Sequence, residues 1–200
     1  MRKRSILLSA LAACLILATG SAFADNLVAN GGFETGNFSG WTMTGNQDGN
    51  TLVTGGTWGG FAPVSGSYHA VLGSCDSVCG GLLDGGFSQT LGTSASNTYT
   101  LSFYLGNDSG PPNDITVTIG GNTVLSLAGQ GFIGWTFYQF SGLSLGDNAT
   151  LAISASNVPG YFHMDDISVS TDTPEPASLA LFGSGLIGLA GAARRKLFVR

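Results

Sequence analysis

Apolar and polar residues alternate with a period of two through TYTLSFYLG, where Tyr99, Leu101, Phe103 and Leu105 interleave with Thr100, Ser102 and Tyr104. Successive side chains of an extended strand point to opposite faces, so this run offers one face to a core and the other to water. DITVTIGG repeats the pattern with Ile115, Val117 and Ile119, and Gly120-Gly121-Asn122 then turns the chain into TVLSLAG as a hairpin. Further runs of the same kind begin at TLVT (51), YHAVLG (68), FSQTL (87), WTFYQF (135), ATLAISAS (149) and FHMDDISVS (162). Clusters of Gly, Asn, Asp and Ser separate them, and no amphipathic helix of useful length intervenes. About eight or nine strands in about 145 residues predict an all-β fold, an antiparallel jelly-roll sandwich over residues 25–170. A chain of this size buries roughly 70% of its unfolded surface, enough for a core without a cofactor.

The two ends differ in kind. MRKRSILLSALAACLILATGSAFADN has basic Arg2, Lys3 and Arg4, an apolar stretch, and small residues at Ala22 and Ala24. This describes a secretory signal peptide over residues 1–24, cut by signal peptidase between Ala24 and Asp25. Leu11-Ala12-Ala13-Cys14 also matches a lipidation pattern, but cleavage there would leave apolar LILATGSAFA at the new terminus.

All seven Lys and Arg residues lie in the two ends, while all 12 Asp and Glu residues fall between Asp25 and Pro176. The exported domain is therefore a polyanion without side-chain cations other than a protonated His. Binding of nucleic acid or anionic lipid needs Lys and Arg to neutralise phosphate, so both classes of partner are excluded for this domain. Cys75 and Cys79, four apart in an exported chain with no further thiol or imidazole ligands nearby, predict a disulfide closing a small loop.

The domain opens NLVANGGFETGNFSGW and closes on MDDISVS. These stretches resemble the ends of exported β-sandwich modules of the galactose-binding-like type, several carbohydrate-binding families among them. The resemblance spans nearly all of residues 25–170 and implies adjacent first and last strands, with a structural Ca²⁺ held by Glu34 and Asp166, and by Asp165 as well if a bulge turns both aspartates to one side. The donors are all oxygen, as Ca²⁺ requires. Trp41 and Trp135 are expected in or near the core. Trp58, among glycines in TGGTWGGF, and Tyr104, on the polar face of its strand, are candidate stacking platforms for a sugar ring.

No enzyme is expected. A glycosidase needs two carboxylates across the scissile bond, and Glu34, the single Glu of the domain, is already assigned to the head turn. The remaining aspartates sit in loops, where solvation is the ordinary explanation. His69 and His163 have neither G-x-S-x-G nor an activated Cys beside them and are expected as strand histidines with a hydrogen bond.

The tail, residues 171–200, reads Pro174-Glu175-Pro176, an apolar helix at 177–193, then Arg194-Arg195-Lys196. About 17 residues give roughly 26 Å of helix, marginal for a hydrocarbon core of about 30 Å, and the basic cluster should stay cytoplasmic. This order closely resembles the PEP-CTERM sorting signal, a segment also labelled as the C-terminal domain of ice-binding proteins, although no Thr array here supports ice binding. The resemblance implies transient insertion in the inner membrane, recognition by an exosortase, and delivery to the surface or matrix of exopolysaccharide-producing, biofilm-forming cells. A surface module for neutral extracellular polysaccharide is the expected function; the alternative is a structural or adhesive protein without a saccharide site.

Overall fold

Among the described residues the chain forms ten strands packed as two antiparallel sheets. The computed structural model describes residues 25–45, 51–73, 85–157, 160–172 and 184–185. In chain order the strands are β1 (Thr42–Gly45), β2 (Thr51–Gly55), β3 (Tyr68–Leu72), β4 (Gly85–Thr90), β5 (Thr98–Asn107), β6 (Asn113–Ile119), β7 (Asn122–Ala128), β8 (Ile133–Ser144), β9 (Thr150–Asn157) and β10 (Phe162–Thr171). One sheet has the order β1-β4-β9-β6-β7 and the other β2-β3-β10-β5-β8. Residues Asp25–Asp172 form one unit. All the expected strands are present, and β1 is additional: four residues, TMTG, are too short to show a period, and pairing with β4 makes them a strand.

The alternation partitions as the pattern requires. Tyr99, Leu101, Phe103 and Leu105 are buried, whereas Thr100, Ser102 and Tyr104 are partly exposed. Ile115, Val117 and Ile119 of β6 meet Leu151, Ile153 and Ala155 of β9 in register. The hairpin from β6 to β7 closes on the pair Ile119–Asn122 through Gly120 and Gly121, with φ of 58° and 80°. Two successive left-handed residues make the turn that matches strand twist, a conformation only Gly adopts without strain.

Trp41 is buried as expected. Its ring lies 6.0 Å from Phe33 and 4.9 Å from Phe87, and Phe38 lies 5.0 Å from Phe87. This aromatic group fastens the head of the chain to β4.

The signal segment 1–24, the Cys75–Cys79 pair and the tail residues Pro174, Glu175, Pro176, Arg194, Arg195 and Lys196 lie outside the described residues. Ser184 and Gly185 are helical, and among the described residues no helix is long and apolar enough to cross a membrane.

Candidate functional site

The two ends of the domain meet. Leu27 N–H donates to the Val169 carbonyl at 2.7 Å, and Val169 N–H donates to the Asn26 side chain at 3.0 Å. Ile167 N–H donates to the Gly31 carbonyl at 3.0 Å. The backbones approach so closely that an added Cβ on Gly31 would overlap the Ile167 carbonyl oxygen. Asn30, at φ 54°, shapes the turn: its amide donates to the Asn37 and Ser39 carbonyls, and its own carbonyl accepts the Trp41 indole N–H at 3.1 Å. The GW pair and the NGG turn are thus parts of one hydrogen-bonded corner.

At this corner β10 carries the bulge that two usable aspartates require. Asp165 pairs with Tyr104 and Ser168 with Ser102, so two residues, Asp166 and Ile167, stand opposite Phe103, and Asp166 takes φ 52°. Asp165 is fully buried. Its Oδ2 accepts N–H bonds from Val64 (2.8 Å) and Ser65 (3.4 Å), and its Oδ1 accepts from Asp166 (2.8 Å). Asp166 Oδ1 accepts the Ser65 hydroxyl at 2.6 Å. Glu34 accepts Ser67 N–H at 3.0 Å and Tyr68 N–H at 3.1 Å. Gly32 sits among the three carboxylates: an added Cβ would lie 3.4 Å from Asp166 Oδ1 and 3.8 Å from Asp165 Oδ1. The donor chemistry suits a hard divalent cation. Each carboxylate is nevertheless satisfied by protein N–H or O–H groups, and among the described residues no three of His, Cys, Asp or Glu converge on one point as metal ligands.

What the three carboxylates hold is a strap, residues 56–67, laid over the outer face of sheet β2-β3-β10-β5-β8. Hydrogen bonds to charged acceptors contribute about 1.5–3 kcal/mol each when protected from water. Trp135 adds a bond from its indole N–H to the Ala62 carbonyl at 2.9 Å. Phe61 stacks on the His163 ring at 4.2 Å, and it fits because Gly106 beneath has no Cβ. The strap covers the β3–β10 side of that face, reaches Gly106 of β5 and Trp135 of β8, and leaves the rest of the β5–β8 side open.

Under the strap the histidines and an aspartate form a chain. Asp108 Oδ2 stands 3.4 Å from His163 Nε2, and His163 Nδ1 stands 3.2 Å from His69 Nε2. With N–H groups at both Nε2 positions each link has a donor and an acceptor, and His69 Nδ1 is left as a buried acceptor without a partner. Asp108 also accepts Tyr161 N–H at 2.6 Å. Loop solvation therefore does not describe Asp108, because tertiary contacts claim it. The histidines touch each other, a pairing that their separation of 94 residues hides in the sequence.

Burial, and secondarily the charge of His163, pushes His69 down to about 4. His163 also lies below its ordinary value, burial outweighing the bond and charge of Asp108. Burial pushes Asp165 up to about 6 against the N–H bonds it accepts. The signs oppose. A depressed histidine binds fewer protons in the folded state, so its stabilising contribution is complete above about 6.5 and is lost as the pH falls towards 4. A raised aspartate stabilises below its unfolded value and loses that contribution as the pH rises through about 6. His69→Gln should therefore flatten the acid limb: between pH 6.5 and 4 the variant is expected to lose up to about 3 kcal/mol less than the parent in urea titrations. Parallel stability curves would refute the assignment.

Of the two expected platforms, Tyr104 lies on the open half of the face, its ring 5.1 Å from Phe137 across the β5–β8 pair. Trp58 lies at the end of the strap, bridged to Phe61 and edge-on to Tyr161 at 5.9 Å, with 38% of its surface exposed. Trp135 is not in the core. It is half-buried on the outer face, 5.2 Å from Phe61, because the aromatics of β8 alternate between the two faces of the sheet. Tyr138 and Phe140 pack inward on Phe103, while Trp135 and Phe137 face outward. Phe137 and Phe132, 51% and 71% exposed, are additional candidates. The signal of Phe137 is present in WTFYQF: aromatics at both parities cannot all enter one core.

With this geometry in place, the comparisons with known proteins can be read. The chain carries a PEP-CTERM protein-sorting motif at residues 172–196. The motif implies export and processing by an exosortase. A comparison with curated proteins finds no match. The sandwich resembles that of the module TmCBM61, solved in complex with β-1,4-galactotriose, at 19% identity and a TM-score of 0.57, covering 74% of this chain and 100% of that one. It is similar to the enzymatically active domain of tailspike protein 4 from bacteriophage CBA120, at 19% identity and TM-score 0.54, covering 73% of this chain and 21% of that one. It is also similar to a cleaved adhesin domain of Lys-gingipain from Porphyromonas gingivalis, at 18% identity and TM-score 0.51, covering 75% and 98%. At such identities these structures show a shared sandwich fold.

Proposed function

We propose that this PEP-CTERM protein is a non-catalytic cell-surface or extracellular-matrix module that binds neutral polysaccharide, with Tyr104 and Trp58 as stacking residues. The observation that carries the reading is the open β5–β8 face, where Tyr104 meets exposed Phe137 on a domain without Lys or Arg. Aromatic faces stack on the apolar faces of sugar rings, and the absence of cations disfavours anionic polymers. The likeness to a galactotriose-binding module supports the same class of ligand. The test is affinity electrophoresis of the full-length chain in gels containing neutral polysaccharides, β-1,4-galactan among them, and anionic ones. Retardation by a neutral polymer, weakened in Tyr104→Ala and Trp58→Ala, is expected. No retardation by any neutral polymer, or variants that run like the parent, would sink the reading.

A structural or adhesive role without a saccharide site is the second reading. Exposed Phe132 and Phe137, rings with no hydroxyl, favour it. Structural Ca²⁺ at Glu34, Asp165 and Asp166 belongs to the first reading, and its support is an all-oxygen donor set with no side-chain cation to compete. Added Ca²⁺ should raise the melting temperature. If a chelator leaves the melt unchanged and Glu34→Gln does not reduce any Ca²⁺ effect, the ion has no place there.

A further inference from the structure

The open half of the sheet is a strip rather than a pocket. Phe132 precedes β8, Trp135 and Phe137 follow on its outer side, and Gln139 and Ser141 continue that side beyond them. From Phe132 to Phe137 is five residues of extended chain, roughly 17 Å, more than one sugar ring can span. Tyr104 and Ser102 on β5 stand opposite Phe137 and Gln139. The rings are linked through Phe61, which lies 5.9 Å from Phe132 and 5.2 Å from Trp135.

We propose that this strip, from Phe132 past Trp135 and Phe137 to Gln139, binds the interior of an extended neutral polysaccharide chain, not its terminal sugar. The proposal rests on the saccharide-binding reading and adds to it the ligand's form and two residues, Phe132 and Phe137. Three observations carry it. First, both ends are open: β8 is the edge of its sheet, and added Cβ atoms on Gly131, just before Phe132, and on Gly142, beyond Gln139, would meet nothing within 4 Å. A site for a chain end needs a wall, and among the described residues this strip has none. Second, polar groups flank and continue the row of rings. The Gln139 amide, the Ser141 hydroxyl and the Ser102 hydroxyl lie beside the aromatics, a mixture suited to a polymer with apolar ring faces and hydroxyl rims. Third, among the described residues the sole charged side chain bonded to β8 is Asp172, through Gly142 N–H at 3.1 Å, which leaves no cation for an anionic polymer.

The test uses the full-length chain and oligosaccharides prepared from whichever neutral polysaccharide retards it in the gel, measured by isothermal titration calorimetry. Affinity is expected to rise at least about tenfold from the disaccharide to the hexasaccharide, and to be unchanged when the reducing end is reduced to the alditol. Phe132→Ala and Phe137→Ala should each weaken hexasaccharide binding roughly three- to tenfold and leave the melting temperature within about a degree or two of the parent. Equal affinity for monosaccharide and hexasaccharide, or loss of binding on reducing the chain end, would overturn the interior-chain proposal while sparing the saccharide reading. Intact hexasaccharide binding in both Phe variants would overturn the strip in the same way. Retardation by no polysaccharide would overturn both. A dimer in sedimentation that Phe137→Ala dissolves, without any effect on sugar, would assign the strip to a second copy of the chain.

Discussion

Gly31→Ala is expected to destabilise the domain by about 3 kcal/mol or more, the largest effect of any single methyl addition in the head turn. The Cβ would overlap the Ile167 carbonyl oxygen, which belongs to the backbone of the β10 bulge and cannot rotate away as a side chain can. The head turn and the last strand must then separate. Separation breaks the Ile167 N–H bond to Gly31 and moves Asp166, whose carboxylate holds Ser65 of the strap. Equilibrium urea unfolding measures the loss. Gly92→Ala, where an added Cβ meets nothing within 4 Å and the backbone is not left-handed, is the comparison for a methyl added without a clash. Equal losses at the two positions would show that the close approach of head and tail does not matter.

Phe87→Ala is expected to cost about 3–5 kcal/mol. Phe87 is fully buried on β4 and lies within 5.7 Å of Phe33, 5.0 Å of Phe38 and 4.9 Å of Trp41, so its removal leaves a cavity lined by rings that cannot all move inward. The edge-on contacts to Phe33 and Trp41 are lost together with the buried area. Thermal unfolding should show a single transition at lower temperature. Because Phe33 and Trp41 both belong to the head turn, tryptophan fluorescence should follow that same single transition in the variant. A loss under about 1 kcal/mol would mean that the head is held by its backbone bonds and not by this aromatic group.

Much of the fold was legible in the sequence because a half-buried strand writes its geometry into every second residue. The β5 and β6 alternations predicted both strands and the faces that enter the core, and Gly120-Gly121 marked the turn after β6. The meeting of NGGFE with MDDIS was legible by resemblance, and the structure supplies its physical cause: Gly31 admits the bulge, and Glu34 holds the backbone of residues 67 and 68. β1 was not legible, since four residues hold too few repeats for a period. Trp135 was expected in or near the core without its side: the aromatics of β8 fall at both parities, and the sequence does not state which parity faces the opposite sheet.

The candidate site divides in the same way. Tyr104 could be assigned to a polar face from alternation alone, while its partner Phe137 could not, because pairing between β5 and β8 joins residues 33 apart. The His69–His163–Asp108 chain and the strap above it depend on contacts across still longer separations, and on Gly106 admitting the Phe61 ring. By itself the sequence determined the sandwich, the charge that restricts its ligands, and the sorting motif at residues 172–196, because periodicity, composition and short motifs are local quantities. Only the tertiary structure decided which part of the outer face is covered and which is open, because that depends on where the strap of residues 56–67, with Phe61 at its centre, comes to rest after β3, β10 and β5 have paired.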